Sequence, residues 1–232
     1  MSATGQSATP SPSSPEPIGS GASDYGWYSA DPQHMEARFI PLLQRTMQPL
    51  VHGRPARALD VGCGNGALCG RLLRLGYRVV GVDVSESGLA IARAVHPAVR
   101  FEMLAADDAL LDHLAEPPFD YVSCLEVIEH VYDPQSLLRG CFRALRPGGV
   151  FICSTPYHGY LKNLGISLLD RWDKHLHPSR VGGHIKFFSR RTLFPLMHEA
   201  GFVNLRFHGV GRFPYLWMSM LITGEKPAIR EA

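Results

Sequence analysis

The segment CLEVIEHVYDP, residues 124–134, places two carboxylates and an imidazole side by side: Glu126, Glu129 and His130. Residues three apart are neighbours on a helical turn, which would set the two glutamates roughly 6 Å apart. At an effective dielectric of about 20, ionised carboxylates at ~6 Å repel by about 3 kcal/mol. Water screens that repulsion on an open surface. At the mouth of a ligand cleft it needs compensation, and a divalent cation bound by Glu126, Glu129 and His130 would supply it. His184 in GGHIKFF is the candidate fourth ligand, because two glycines before it let the chain bend inward. The competing arrangement has Glu126 facing a cofactor, Glu129 solvated, and His130 packing on or capping the turn. Whichever of His130 and His184 is not a ligand is a candidate general base. The HLH run at 175–177 reads as solvated loop.

A second constellation lies upstream. LDVGCGNGA follows an apolar strand and opens a helix, and Gly62, Gly64 and Gly66 let backbone approach a ligand with positive φ where needed. Gly62-x-Gly64-x-x-Ala67 also fits a dinucleotide fingerprint, with Asp83 at the distance of a ribose-binding acid. That keeps an NAD-dependent oxidoreductase open. Against it stands Asp60, on the strand just before the loop: a carboxylate there repels a pyrophosphate and attracts a cationic amino-acid group.

These residues need elements to hold them. RALDV, RVVGVD, VRFEML, FDYVSCL and VFICSTP read as strands. ALCGRLLRLG, SESGLAIARAV, DDALLDHL and PQSLLRGCFRALRPGG read as intervening helices, the last closed by Pro-Gly-Gly. The alternation implies βαβ units and a parallel sheet. After Pro156 the rhythm breaks into an insertion at about 157–187. SRRTLFPLMHEAG then forms a Ser-capped helix, and VNLRFHGVG and YLWMSMLITGEKP close the sheet with one antiparallel strand. The expected fold class is α/β, with a seven-stranded, mostly parallel sheet.

Residues 1–23 are Ser, Pro, Ala, Gly and Thr with little to bury, and read as a disordered tail. Met35, Phe39, Leu42, Leu43 and Met47 form an amphipathic stripe, with Pro41 as a kink. Tyr25, Trp27 and Tyr28 either fold over the ligand or seal this helix. With 45% hydrophobic residues and a net charge of +2, the chain can bury a sizeable core and carries no broad basic field, so long nucleic acid is not expected as a partner. Five cysteines without a CxxC pair suit a reducing compartment. No signal peptide or membrane span is read, so a cytoplasmic location is expected.

ALDVGCGNG, VVGVDVS, FDYVSCLEVIEHVYDPQSLLRGCFRALRPGGVFICSTP and HIKFFSRRTL together resemble class I S-adenosylmethionine-dependent methyltransferases. Within these the closest likeness is to the ubiquinone-pathway O-methyltransferases that act on polyprenylated catechols. The likeness covers roughly residues 25–225 and implies a methyltransferase domain over 24–232 with a Rossmann-like fold. It further implies that Asp60, Gly62, Cys63 and Gly64 cradle the methionine part of S-adenosylmethionine. Asp83 would grip the ribose, Val84 would lie beside the adenine, and Leu125 would close over the sulfonium. Asp107 or Asp108 would bond the adenine amino group. The segment AADDA departs from the common GDA form, so the two aspartates stay open. The pattern EVIEH followed by a later histidine also resembles small-RNA 3′-terminal 2′-O-methyltransferases, in which two glutamates and two histidines hold a magnesium-like ion. Residues 157–187 sit where the family places its substrate lid. The stripe Leu161, Leu164, Leu168, Leu169 and Trp172, with Lys162, Arg171 and Lys174 alongside, is either a membrane-facing surface for a lipid-tailed acceptor or an ordinary helix packed on the sheet.

Overall fold

The computed structural model describes residue 29, residues 36–176 and residues 183–229. The tail 1–23, the aromatics Tyr25, Trp27 and Tyr28, and the last histidine of the HLH run lie outside the described residues. Among the described residues no helix is long and apolar enough to cross a membrane.

The chain begins with α1 (Glu36–Thr46), which carries Pro41 within it, and a two-strand hairpin, β1 (Leu50–Val51) and β2 (Arg54–Pro55). The alternating unit follows: β3 (Arg57–Val61), α2 (Ala67–Arg74), β4 (Arg78–Asp83), α3 (Glu86–Val95), β5 (Arg100–Met103), α4 (Leu110–Leu114) and β6 (Phe119–Leu125). A short 3-10 turn, Ile128–His130, leads to α5 (Pro134–Ala144) and β7 (Leu145–Pro156). The insertion holds α6 (Tyr160–Leu168) and α7 (Trp172–Leu176), and α8 (Arg190–Glu199), β8 (Val203–Val210) and β9 (Ser219–Glu225) finish the domain.

Local chemistry explains most boundaries. Ser85 caps α3 by accepting from the Gly88 amide at 3.1 Å. The Asp133 carboxylate accepts from the amides of Gln135 and Ser136 to start α5, with Pro134 in the first helical position. Gly76, at φ 93°, lets the chain leave α2 in the left-handed conformation. The reading of PQSLLRGCFRALRPGG as one helix needs correction. The helix ends at Ala144, and Leu145 already pairs with Phe119 across a bulged start of β7. Pro147 disfavours helix in the residue before it, and Lys226 Nζ takes the freed carbonyls of Phe142 and Leu145.

The seven-stranded sheet runs β5-β4-β3-β6-β7-β9-β8, parallel except for β9, which is antiparallel to both neighbours. The antiparallel strand therefore lies inside the edge, with β8 outermost. Successive strand residues feed opposite faces. Leu59, Val122, Phe151 and Ile222 pack with α4, α5 and α8, while Ala58, Tyr121, Ile152 and Leu221 pack with α1, α2 and α3. The five cysteines are buried free thiols. From β3 the chain winds outward to β5, then returns to lay β6 on the other side of β3. That reversal opens a crevice at the carboxyl ends of β3 and β6, where open α/β sheets bind ligands.

At the opposite end of the sheet Asp120, 1% exposed, pairs with Arg54 and Arg146 and accepts from the Arg57 amide. Burial pushes its carboxyl up, but these bonds outweigh burial and hold it below the usual range. Its contribution to stability is present above the unfolded-chain value of about 3.9 and is lost as pH falls through the lower folded value. Asp120→Asn is expected to destabilise the fold by about 3–5 kcal/mol, read as a lower urea midpoint at pH 7 with the difference from wild type shrinking in acid.

Candidate active site

The glycine loop turns back on β4: the amides of Gly62 and Cys63 both donate to the Val82 carbonyl, at 2.8 and 3.1 Å. Gly62, Gly64 and Gly66 have φ of 74°, 50° and 76°, the left-handed region where other residues are strained. A Cβ on Gly62 would lie 2.2 Å from the Val127 side chain, so the turn after β6 sits directly on the loop. Gly64 N–H donates to Asp83 Oδ2 at 2.7 Å and Ser85 N–H to Oδ1 at 2.8 Å, which fixes the carboxylate at the tip of β4. Val84, next to it, is half-buried, as is Leu125 at the end of β6.

Asp60 lies beneath the loop. Ser123 Oγ donates to one of its oxygens at 2.7 Å and Cys69 Sγ reaches the other at 3.4 Å. Burial pushes its carboxyl up to about 7 against those two bonds. Cys63 is buried beside it. Of the two candidate aspartates, Asp108 is engaged with Arg139 and Ser136 on α5, and the Arg139 guanidinium holds it below the usual carboxylate range. Asp107 accepts from the Ala109 amide and makes no ion pair among the described residues.

After β6 the chain passes through Glu126 at φ 56°, an unusual conformation for a side chain of this kind. Ser154 compensates: its hydroxyl receives the Glu126 amide at 3.1 Å and donates to Oε1 at 2.9 Å. Ser219, the first residue of β9, donates to Oε2 at 3.3 Å. Burial raises the Glu126 carboxyl to about 7.

Glu129 is different. It is 1% exposed, and among the described residues neither carboxylate oxygen has a hydrogen-bond partner. His130 Nε2 and His184 Nε2 lie 3.9 and 4.0 Å from its Oε1. One ligand atom from each of Glu129, His130 and His184 falls within 4.8 Å of the others. The Ile185 and Lys186 amides bind the Glu129 carbonyl, which is how the segment after the lid is pinned against the turn after β6. His130 Nδ1 lies 3.1 Å from the Gly183 carbonyl. A carbonyl only accepts, so Nδ1 carries the proton and Nε2 keeps its lone pair. Burial, then repulsion from Glu126, pushes the Glu129 carboxyl well above its usual range. The structure thus groups three of the four residues singled out as metal ligands and places Glu126 beside them, on two serine hydroxyls.

Sequence reasoning missed Ser154, Ser219 and above all Lys162. The sequence sets Lys162 alongside the leucine stripe, on a helix that either faces a membrane or packs on the sheet, yet it is 8% exposed and is the buried residue of α6. Its ammonium donates to the Met218 carbonyl at 3.1 Å. Burial and Arg212 lower its pKa to about 8, with Glu126 pulling the other way. No local pattern signals this, since the leucine spacing of α6 points to the opposite face as the packed one.

Comparisons with known proteins give the family and the fold. A family model described as a methyltransferase domain matches residues 33–206. A ubiquinone biosynthesis O-methyltransferase of Ruegeria pomeroyi is 36% identical over 167 residues, covering 69% of this chain and 65% of that protein. The protein of the same name from Hydrogenovibrio crunogenus is 33% identical over 147 residues, covering 62% and 60%. The chain therefore spans somewhat less than two thirds of the length of these curated relatives. Among solved structures, an S-adenosylmethionine dependent methyltransferase from Mesorhizobium loti superposes with a TM-score of 0.58 at 24% identity, over 82% of this chain and 98% of that one, a likeness of fold. With three quarters of its residues inside one family model, the chain belongs to the methyltransferase-domain family.

Proposed function

We propose that this protein transfers the methyl group of S-adenosylmethionine to a hydroxyl oxygen of a phenolic, catechol-type acceptor. The observation that carries the reading is the contact between the glycine loop and the Glu126–His130 turn across the β3/β6 crevice. A donor cradle and a cluster of ionisable groups meet at one point.

The residues fit the donor. Gly62 and Gly64 present backbone without a Cβ, and Asp83, oriented by two amides, has the acceptor capacity of a carboxylate for two ribose hydroxyls. Asp107, without an ion pair, suits the adenine amino group better than Asp108 does. Asp60 lies below the loop, where the cationic amino-acid part of the donor would favour its ionised form. The donor supplies an electrophilic methyl, so the protein's remaining tasks are alignment and an ionised nucleophile.

The Glu129, His130 and His184 group fits a divalent cation: an orphaned buried carboxylate faces two imidazoles, one with its tautomer set by a carbonyl. Such an ion would lower the pKa of an acceptor hydroxyl. Without an ion bound, His130 Nε2 is the base placed to take that proton.

The acceptor is further proposed to carry a lipid tail. Leu161, Leu168 and Leu169 of the lid are 50%, 76% and 62% exposed, an apolar surface suited to peripheral contact with a bilayer.

Calorimetry is expected to show tight binding of S-adenosylhomocysteine and none of NAD, and Asp83→Ala is expected to weaken the former at least tenfold, about 1.4 kcal/mol. Tight NAD binding without S-adenosylhomocysteine binding would overturn the reading. For the cation, Glu129→Gln and His184→Ala should retain S-adenosylhomocysteine binding but bind Mn2+ about 100-fold more weakly by equilibrium dialysis, with turnover falling in parallel. Variants that match wild type in both measurements would remove the cation from the proposal.

A further inference from the structure

The lid helix α6 is packed inside out. Its leucines point to solvent, and its one buried residue is Lys162. Burying an ammonium away from water is unfavourable unless a charge or several acceptors compensate it. Here the compensation is thin. The Met218 carbonyl that Lys162 binds is already taken by the Tyr157 amide at 3.1 Å. Among the described residues no carboxylate lies within 4 Å of the ammonium, and Met218 supplies its one hydrogen-bond acceptor. Arg212, on the loop before β9, adds a second positive charge nearby, while Glu126 is the acid that attracts it.

Position completes the argument. Met218 precedes Ser219, whose hydroxyl holds Glu126. Glu126 in turn is one residue from Val127, the side chain that rests on Gly62. The ammonium is therefore near enough to Glu126 to be attracted by it, and Glu126 adjoins the turn that rests on the glycine loop.

We infer that Lys162 is an acceptor-binding residue, its ammonium taking an ionised hydroxyl oxygen of the acceptor and so selecting phenolate-type substrates. This rests on the methyl-transfer reading above. Ionisation on binding releases the hydroxyl proton to buffer, by way of His130 Nε2 when no ion is bound there. In the subsequent transfer the phenolate oxygen forms the O–C bond while the C–S bond breaks, its electron pair returning to sulfur. The role is separate from that of the Glu129, His130 and His184 group, because Lys162 reaches the crevice from the lid.

The test uses 4-nitrocatechol, whose anion absorbs at longer wavelength than the neutral phenol. It is titrated into the full chain saturated with S-adenosylhomocysteine, at a pH where the free probe is un-ionised. The titration is run after chelator treatment and again with Mg2+. Wild type is expected to bind the probe as its anion in both. Lys162→Met is expected to lose that spectrum, with at least tenfold weaker probe binding and unchanged S-adenosylhomocysteine affinity, and Lys162→Arg to recover part of it. Lys162→Gln serves the same purpose should the methionine variant not fold. A wild type that leaves the probe un-ionised, or a Lys162→Met protein that retains the anion spectrum, overturns the assignment. So does loss of S-adenosylhomocysteine affinity in Lys162→Met, which would put the ammonium on the donor's carboxylate. A wild type that binds no S-adenosylhomocysteine sinks the donor reading instead, and that result is read by calorimetry, apart from the probe spectrum.

Discussion

Burial of charge at the carboxyl ends of β3, β6 and β7 governs this molecule. Asp60 and Glu129 are buried, Glu126 is half-buried, and each is handled differently. Asp60 has a serine hydroxyl and a thiol. Glu126 has two serine hydroxyls and its own strained backbone held by Ser154. Glu129 has neither among the described residues, and two imidazoles stand about 4 Å away. Glu126 repels Glu129 after β6, and Asp83 repels Asp60 beneath the glycine loop. Positively charged occupants relieve such repulsion, and a sulfonium donor and a divalent cation are both of that kind.

The crevice exists because of topology. Only where the strand order reverses do two neighbouring strands send their connections to opposite faces, leaving their tips uncovered. The glycine loop and the turn after β6 fill that gap from the two sides and touch at Gly62 and Val127. The chain after the lid returns through Gly183 and His184, where the Glu129 carbonyl takes the Ile185 and Lys186 amides. Lid and turn are thus bonded through backbone, and the side chains of His130 and His184 are brought together by that pairing, with ring centroids 5.0 Å apart.

The lid reverses the usual logic of an amphipathic helix. Leucine outward and lysine inward is unfavourable for an isolated monomer on both faces. The arrangement becomes sensible if each face meets something outside the protein: an apolar surface or tail for the leucines, an anionic oxygen for the lysine. One helix would then read both ends of a single acceptor, its reactive ring and its greasy chain.

How much of this was legible in the sequence follows physical range. Short-range rules settled the strands, the caps at Ser85 and Ser189, and the glycine loop, because each depends on residues a few positions apart. The proximity of Glu129 and His130 was likewise written in their adjacency, whereas Glu126, at φ 56°, lies outside the helical turn that its spacing suggests. The end of α5 was misplaced because Lys226, far along the chain, supplies the donors that let the helix stop early. Tertiary structure alone decided that Glu126 rests on serines from β7 and β9 rather than among the histidines, and that Asp60 lies under the loop. It alone turned Lys162 inward. Hydrophobic periodicity states which residues share a helix face, but not which face the rest of the protein covers. That choice is made by partners such as Met218, 56 residues away, and it is fixed only when the sheet is assembled.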